Sequence, residues 1–239
     1  AARVLAEQMA VFAQKRGAER VHRLDVRTVD AQHLLPQVVV ARVALHALGE
    51  RLRDLAAQLG TDDMVLSALG CAAVNAWFNR RESMETLGVT LYPPEIDEGD
   101  VFRTLEPECA GKLVSTVGHF HGGEKLAGMR ELRVFEKDPR PGDSPEGEED
   151  RLIPGSDIVV ITGMALTNGT MPHILELCRG AEIVALSGPS VPVSPIWFDF
   201  GVTALFGTLC WDIPGCRKAM RYGGHKDTWK YMGKSVLRK

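Results

Sequence analysis

The chain has 239 residues, 45% of them hydrophobic and 25% charged, with a formal net charge of −3. That length serves one large or two modest domains with an ordinary core. The slightly acidic balance gives no electrostatic reason to expect nucleic acid or an anionic membrane surface as partner, and no apolar run approaches the roughly 20 residues of a spanning helix.

Taken in order, Val4 to Lys15 sets Leu5, Met9, Phe12 and Ala13 on one helical face and Gly17 stops it. This start has the pattern of an amphipathic helix, without the apolar centre of a signal peptide, so a cytoplasmic protein is expected. Arg20 to Val29 alternates as a short strand or an extended connector would. After Pro36, Val38 to Leu59 forms a helix with a polar face of Arg42, Glu50, Arg51, Arg53 and Asp54, and Gly60 supplies its C-terminal stop. Thr61-Asp62-Asp63 caps a further helix, Met64 to Phe78, because a short oxygen-bearing side chain accepts from the orphan amides of a first turn. Ser67, Ala68, Gly70, Ala72 and Ala73 fit that helix for close packing. Asn75 and Asn79 stand one turn apart on one face, where they either bridge structural elements or meet a ligand. Leu91 to Asp100, with Pro93-Pro94 and a run of acids, reads as a linker, giving a mostly helical N-terminal subdomain over 1–95 and an α/β domain over 96–239.

The organising stretch is Gly111 to Pro195. A strand over 112–117 meets the glycine loop Gly118 to Gly123, and an apolar-spaced segment from Leu126 leads to a second strand over 132–135 that ends at the carboxylate of Glu136. Pro139 to Asp150 is an exposed excursion. A third strand over 157–162 runs into Gly163 and the polar turn 167–170. A helix over about 171–179 precedes a fourth strand over 182–187, which ends in Gly188-Pro189-Ser190. β-Branched runs alternating with helical spacing predict a mainly parallel, Rossmann-like α/β sheet with flanking helices, because parallel neighbours need long crossovers. Right-handed crossovers bring these loops to one sheet edge, where open sheets bind ligands. Trp197, Phe198 and Phe200 fit core packing, and the tail Arg221 to Lys239 folds back near the cleft. The five cysteines (Cys71, Cys109, Cys178, Cys210, Cys216) are odd in number, scattered and without zinc-ligand spacing, which reads as buried thiols in a reducing compartment.

Val117-Gly118-His119-Phe120, Val134 to Lys137, Asp157 to Gly163, Leu166 to Thr170, Gly188 to Ser190 and Phe198 to Gly201 occur in the order seen in the heavy-metal chelation family of unknown-function proteins, which this chain resembles from about Gly111 to its end. Ala68 to Asn75 resembles the last helix of that family's first domain. The resemblance implies a Rossmann-like domain joined to one like the N-terminal part of enolase, with an active-site cleft between them. The hairpin strands of the enolase-like part have no counterpart in the pattern upstream. The order of first-loop glycine, second-strand acid and third-strand Asp-Ile-Val-Val-Ile-Thr-Gly is also similar to class I S-adenosylmethionine-dependent methyltransferase domains.

Glu136, at the end of the second strand, is placed to accept from both ribose hydroxyls of an adenosine ligand, against the alternative of a helix-capping or solvated carboxylate. The first loop lacks a complete G-x-G-x-x-G, which disfavours a dinucleotide pyrophosphate but not S-adenosylmethionine. The cofactor-binding candidates are therefore Gly118, His119, Phe120, Glu136, Thr162, Gly163, Leu166, Thr167 and Asn168. Asn75, Asn168, Thr170 and Ser190 are the candidates for binding substrate, and Asn168 and Thr170 also fit simple capping. His119 and His121 could offer imidazoles to a divalent metal, with no third ligand identifiable; hydrogen bonding to substrate is the favoured reading. The expected function is a small-molecule enzyme using S-adenosylmethionine for methyl or aminocarboxypropyl transfer, or for internal displacement at the sulfonium, toward an amino-acid-like metabolite. A metal or metal-chelate binding protein is the alternative, and a nicotinamide-dependent oxidoreductase the third. Expected partners are a small substrate and neither nucleic acid nor membrane, with self-association left open.

Overall fold

The computed structural model describes residues 52–120, 122, 128–222 and 225–239. The expected helix over Val4 to Lys15, the stretch Arg20 to Val29, most of the segment from Val38, and His121 with the apolar segment after it lie outside the described residues.

Helix α1 (Leu52–Ala56) runs into a turn where Gly60 takes φ 81°, the left-handed stop expected of it. Asp63 caps α2 (Met64–Phe78), its carboxylate accepting from the amides of Val65 at 2.8 Å and Leu66 at 3.2 Å. Next come α3 (Arg81–Thr86), β1 (Thr90–Tyr92) and α4 (Val101–Cys109). Asp100 caps α4 through the amides of Phe102 and Arg103. The α/β part then runs β2 (Leu113–Val117), β3 (Glu131–Glu136), β4 (Ser144–Pro145), α5 (Glu149–Leu152), β5 (Ile158–Thr162), α6 (Met164–Thr167), α7 (Met171–Leu177), β6 (Ile183–Ser187) and β7 (Ala204–Cys210). It closes with α8 (Ile213–Tyr222), α9 (His225–Thr228) and β8 (Met232–Arg238).

All eight strands form one sheet in the order β1-β8-β7-β6-β5-β2-β3-β4. β4, β3, β2, β5, β6 and β7 are mutually parallel, and β8 is antiparallel to both β7 and β1. The four expected strands are thus present and parallel. Among the described residues, no helix is long and apolar enough to cross a membrane.

Successive side chains of a strand point to opposite faces, and the central strands use both. Val159 and Ile161 of β5, Val184 and Leu186 of β6, and Leu205 and Leu209 of β7 enter one core layer, together with residues of α1, α2, α6 and α7. Ile158 and Val160, Ala185, and Ala204 and Phe206 enter the other, with Val101, Phe102, Leu105 and Cys109 of α4. Trp197 is buried, donates its indole N–H to the Pro192 carbonyl at 2.9 Å and meets Phe200 edge-on at 6.4 Å, the packing role expected of it.

Two expectations need correction, and two elements add to the reading. The excursion Pro139 to Asp150 is in part a strand: Ser144 and Pro145 pair with Phe135 and Glu136. The stretch read as a linker begins in β1, whose Leu91 pairs with Ser235. The tail does fold back, and its last residues do so as a strand, β8, seven pairs long against β7. Helix α4 went unread, because Pro107 interrupts a segment whose buried residues otherwise recur at helical spacing.

Close approach of α2 to the turn before it depends on Gly70, where a Cβ would stand 2.2 Å from the Leu59 nitrogen. Alanine gains about 1 kcal/mol over glycine in a helix interior, but overpacking against unyielding backbone costs about 1–3 kcal/mol. Gly70→Ala is expected to be destabilising by up to about 2 kcal/mol, read as a lower urea midpoint at unchanged slope; a raised midpoint would contradict the packing described.

Candidate functional site at the strand switch

The chain leaves β2 for β3 on one side, yet β5, which follows later, lies on the other side of β2. The connections after β2 and β5 therefore depart in opposite directions, and the carboxyl ends of such a strand pair are where open α/β sheets take ligands. Register fixes what faces what: Val117 pairs with Phe135 on one side and with Ile161 on the other, so Gly118, Glu136 and Thr162 come next to one another at the rim. Gly118 has φ 97°, and a Cβ there would lie 3.1 Å from Thr162 Cβ, so both backbone conformation and space call for glycine.

Glu136 closes the first loop. Its Oε2 accepts from the His119 amide at 3.1 Å and its Oε1 from the Lys137 amide at 2.9 Å. The imidazole of His119 is bracketed, with Nδ1 3.2 Å from Glu136 Oε2 and Nε2 2.7 Å from Asp143 Oδ2. Asp143 is a residue the sequence reading missed. It arrives through the turn Arg140-Pro141-Gly142-Asp143, where Gly142 takes φ 100° and the Asp143 amide donates to the Arg140 carbonyl at 2.9 Å. Proline followed by a positive-φ glycine is the signature of a type II turn. That signal was readable; its alignment beside Glu136 needed the β3–β4 pairing.

Thr162 Oγ1 accepts from the Met164 amide at 3.3 Å. A Cβ on Gly163 would lie 2.7 Å from the Ser190 carbonyl carbon, so the loops after β5 and β6 touch through backbone. Ser190 Oγ lies 3.7 Å from the sulfur of the exposed Met164. Asn168 Oδ1 accepts from the Thr170 amide at 3.1 Å and its hydroxyl at 2.8 Å, an Asx-turn before α7, whose N-cap residue Thr170 makes no side-chain capping bond. Phe120 meets Phe102 edge-on at 6.0 Å and Leu166 is buried in the core, so both pack rather than line the rim. Thr167 is buried too, and its carbonyl accepts from the Ser67 hydroxyl of α2 at 2.7 Å.

Helix α2 lies across these loops. Asn75 Nδ2 donates to the Ser190 carbonyl at 3.2 Å and to Cys71 O at 3.0 Å, and Asn75 Oδ1 accepts from Asn79 at 2.9 Å. Asn79 donates in turn to Val191 O at 2.8 Å and Thr208 O at 3.2 Å, and accepts from the Val193 amide at 2.9 Å. The asparagine pair is thus a structural bridge that satisfies the β6–β7 connection. Cys71 adds a thiol 3.4 Å from Ser190 O; burial pushes that thiol up, while hydrogen bonds with Thr167 and Asn75 act the other way.

Among the described residues, no group of three or more His, Cys, Asp or Glu is arranged to hold a metal ion. At the rim both ring nitrogens of His119 face carboxylates, and His121 lies outside the described residues.

The fold and rim define an open α/β-sheet protein with a strand switch between β2 and β5. Residues 100–239 match the model of the DUF364 family, described as "putative heavy-metal chelation", and the chain belongs to that family. A DUF364-family protein of unknown function from Desulfitobacterium hafniense is 27% identical and superposes with a TM-score of 0.73, over 83% of this chain and 78% of that one. Another, from Pyrococcus horikoshii, is 15% identical with a TM-score of 0.74 over 100% and 99% of the two chains, a likeness of fold. An uncharacterized protein of Methanocaldococcus jannaschii is 26% identical over 179 residues, 73% of this chain; the chain spans 65% of the length of that curated relative.

Removing the Glu136 carboxylate frees two amides from charge-assisted bonds worth about 1.5–3 kcal/mol each. Glu136→Ala is expected to speed hydrogen exchange at the His119 and Lys137 amides by about tenfold or more, while Asp143→Asn leaves both unchanged. Equal exchange in Glu136→Ala and the parent would mean the carboxylate does not hold the loop.

Proposed function

We propose that the rim at the strand switch takes S-adenosylmethionine and that the protein is an enzyme acting on a small, amino-acid-like metabolite. The observation that carries this reading is the Glu136 carboxylate, fixed by two backbone amides at the end of β3 and beside Gly118. A carboxylate offers about four lone-pair directions; the two amides and His119 Nδ1 occupy three of them, and the remaining one, on Oε1, suits a ribose hydroxyl. Gly118 lets the first loop pass close against Thr162, and the exposed Met164 beside Ser190 offers an apolar surface to an adenine ring. Asn168 and Thr170, at the start of α7, suit the carboxylate or ammonium of a methionyl group.

Bound S-adenosylmethionine would supply an electrophilic carbon next to a sulfonium, for methyl transfer, aminocarboxypropyl transfer or internal displacement. What the chain has to provide for such a reaction is alignment and exclusion of water, rather than an acid–base dyad. Helix α2, bonded across the loops after β5 and β6, suits exclusion of water on that side. The bracketed His119 suits a positioning role: its two carboxylate contacts hold the first loop toward β3 and β4. The family description favours binding of a metal chelate as a second reading, and the absence of a glycine fingerprint in the first loop leaves a nicotinamide dinucleotide third.

Calorimetry against S-adenosylmethionine, NAD and divalent metal salts in parallel tests the reading. With S-adenosylmethionine, Glu136→Ala is expected to lower affinity roughly tenfold to a thousandfold, for one or two lost charge-assisted bonds, with Glu136→Gln between. A chelate-binding protein would instead answer to His119→Ala and His121→Ala in the metal titrations and ignore Glu136. No binding at millimolar cofactor, or full affinity in Glu136→Ala, would remove the proposal.

A further inference from the structure

Two of the five thiols come together away from the switch. Cys210 ends β7 and is exposed, and Cys216 lies in the first turn of α8 and is buried. Between them the chain reverses in a compact knot. The amides of Trp211 and Asp212 both donate to the Tyr231 carbonyl, at 2.8 and 3.2 Å, and the Cys216 amide donates to Asp212 O at 2.9 Å. Both sulfurs are drawn into this knot: Cys210 Sγ lies 3.6 Å from Asp212 O, and Cys216 Sγ 3.4 Å from Tyr231 O. A third sulfur is set by register, since Met232 of β8 is the direct partner of Cys210, and opposed residues of antiparallel strands share a face. Cys210 is exposed as a residue but its sulfur is partly covered, and that desolvation first, then the Cys216 thiol beside it, pushes the thiol up to about 12.

We infer that Cys210 and Cys216, with the Met232 thioether as neighbour, form a binding site for a thiophilic d10 cation of low coordination number, such as Cu(I). Thiolate and thioether sulfur select soft ions, and two thiolates complete a linear site without the four ligands that tetrahedral zinc requires. Binding forms two metal–sulfur bonds and breaks two S–H bonds, so each monovalent ion that enters releases two protons to solvent and leaves a bis-thiolate of net charge −1. The knot holds the two sulfurs together before the ion arrives, and a pre-positioned second ligand adds roughly a hundredfold to ten-thousandfold to the affinity of a single thiol. The site goes beyond the cofactor reading and does not rest on it.

Ag(I) serves as the air-stable probe, added at up to one equivalent to fully reduced protein in weak buffer with a pH indicator, with affinity measured by competition against a monothiol. The wild type is expected to bind one ion and release two protons per ion. Cys210→Ser, at an exposed position, is expected to bind roughly a hundredfold or more weakly and to release one proton or none, with an unchanged circular dichroism spectrum. Cys178→Ala, which removes a buried thiol outside the knot, is expected to match the wild type. Release of one proton per ion by the wild type, or wild-type affinity in Cys210→Ser, would overturn the site.

Discussion

The pairing of β2 with β5 is the constraint on which the rest of the molecule depends. Each is flanked by parallel neighbours and covered on both faces, so neither can slip by a residue without exchanging two core layers. Fixed in that way, the two strands end level with each other, and the residues just past their ends meet through Gly118 and Thr162. Everything at the rim is then placed by what is attached to these two strands. β3 delivers Glu136, β4 delivers Asp143, and the loop after β5 touches the loop after β6 at Gly163.

Helix α2 is held to this frame by polar groups more than by apolar fit alone. Ser67, Cys71, Asn75 and Asn79 recur at four-residue intervals, so they share one face. All four reach backbone groups of the loops after β5 and β6 or of β7. Loop carbonyls beneath a helix must be paired or carry a desolvation cost of about 1–3 kcal/mol each. The small and polar face of α2 thus answers a demand made by backbone groups 100 to 129 residues away.

Much of the fold was legible because its central strands are short β-branched runs and α2 carries both a cap and a packing glycine. The strands that escaped have local features that argue against a strand. β7 contains Gly207, whose missing side chain leaves room for Val193 Cγ2 at 2.3 Å from an ideal Cβ. β4 has two residues, one of them a proline, and β8 mixes Gly233, Lys234 and Ser235 among its apolar positions. At the rim, Glu136 was legible from its place at a strand end, and Asn168 and Thr170 from turn chemistry. The Asp143 contact was not, because it depends on a tertiary pairing, and Leu166 and Phe120 were drawn inward by packing that no local pattern encodes.

The two edges of the sheet bear on how the molecule behaves in company. An open sheet presents unpaired amides and carbonyls along its outer strands, which invite a neighbouring chain to add on. Here one edge is β4, two residues long with Pro145 lacking a donor, and the other is β1, three residues long and followed at once by Pro93 and Pro94. Neither edge offers a run of backbone long enough to template a further strand. A concentrated solution of this protein is thereby protected against growth of the sheet from molecule to molecule at either described edge.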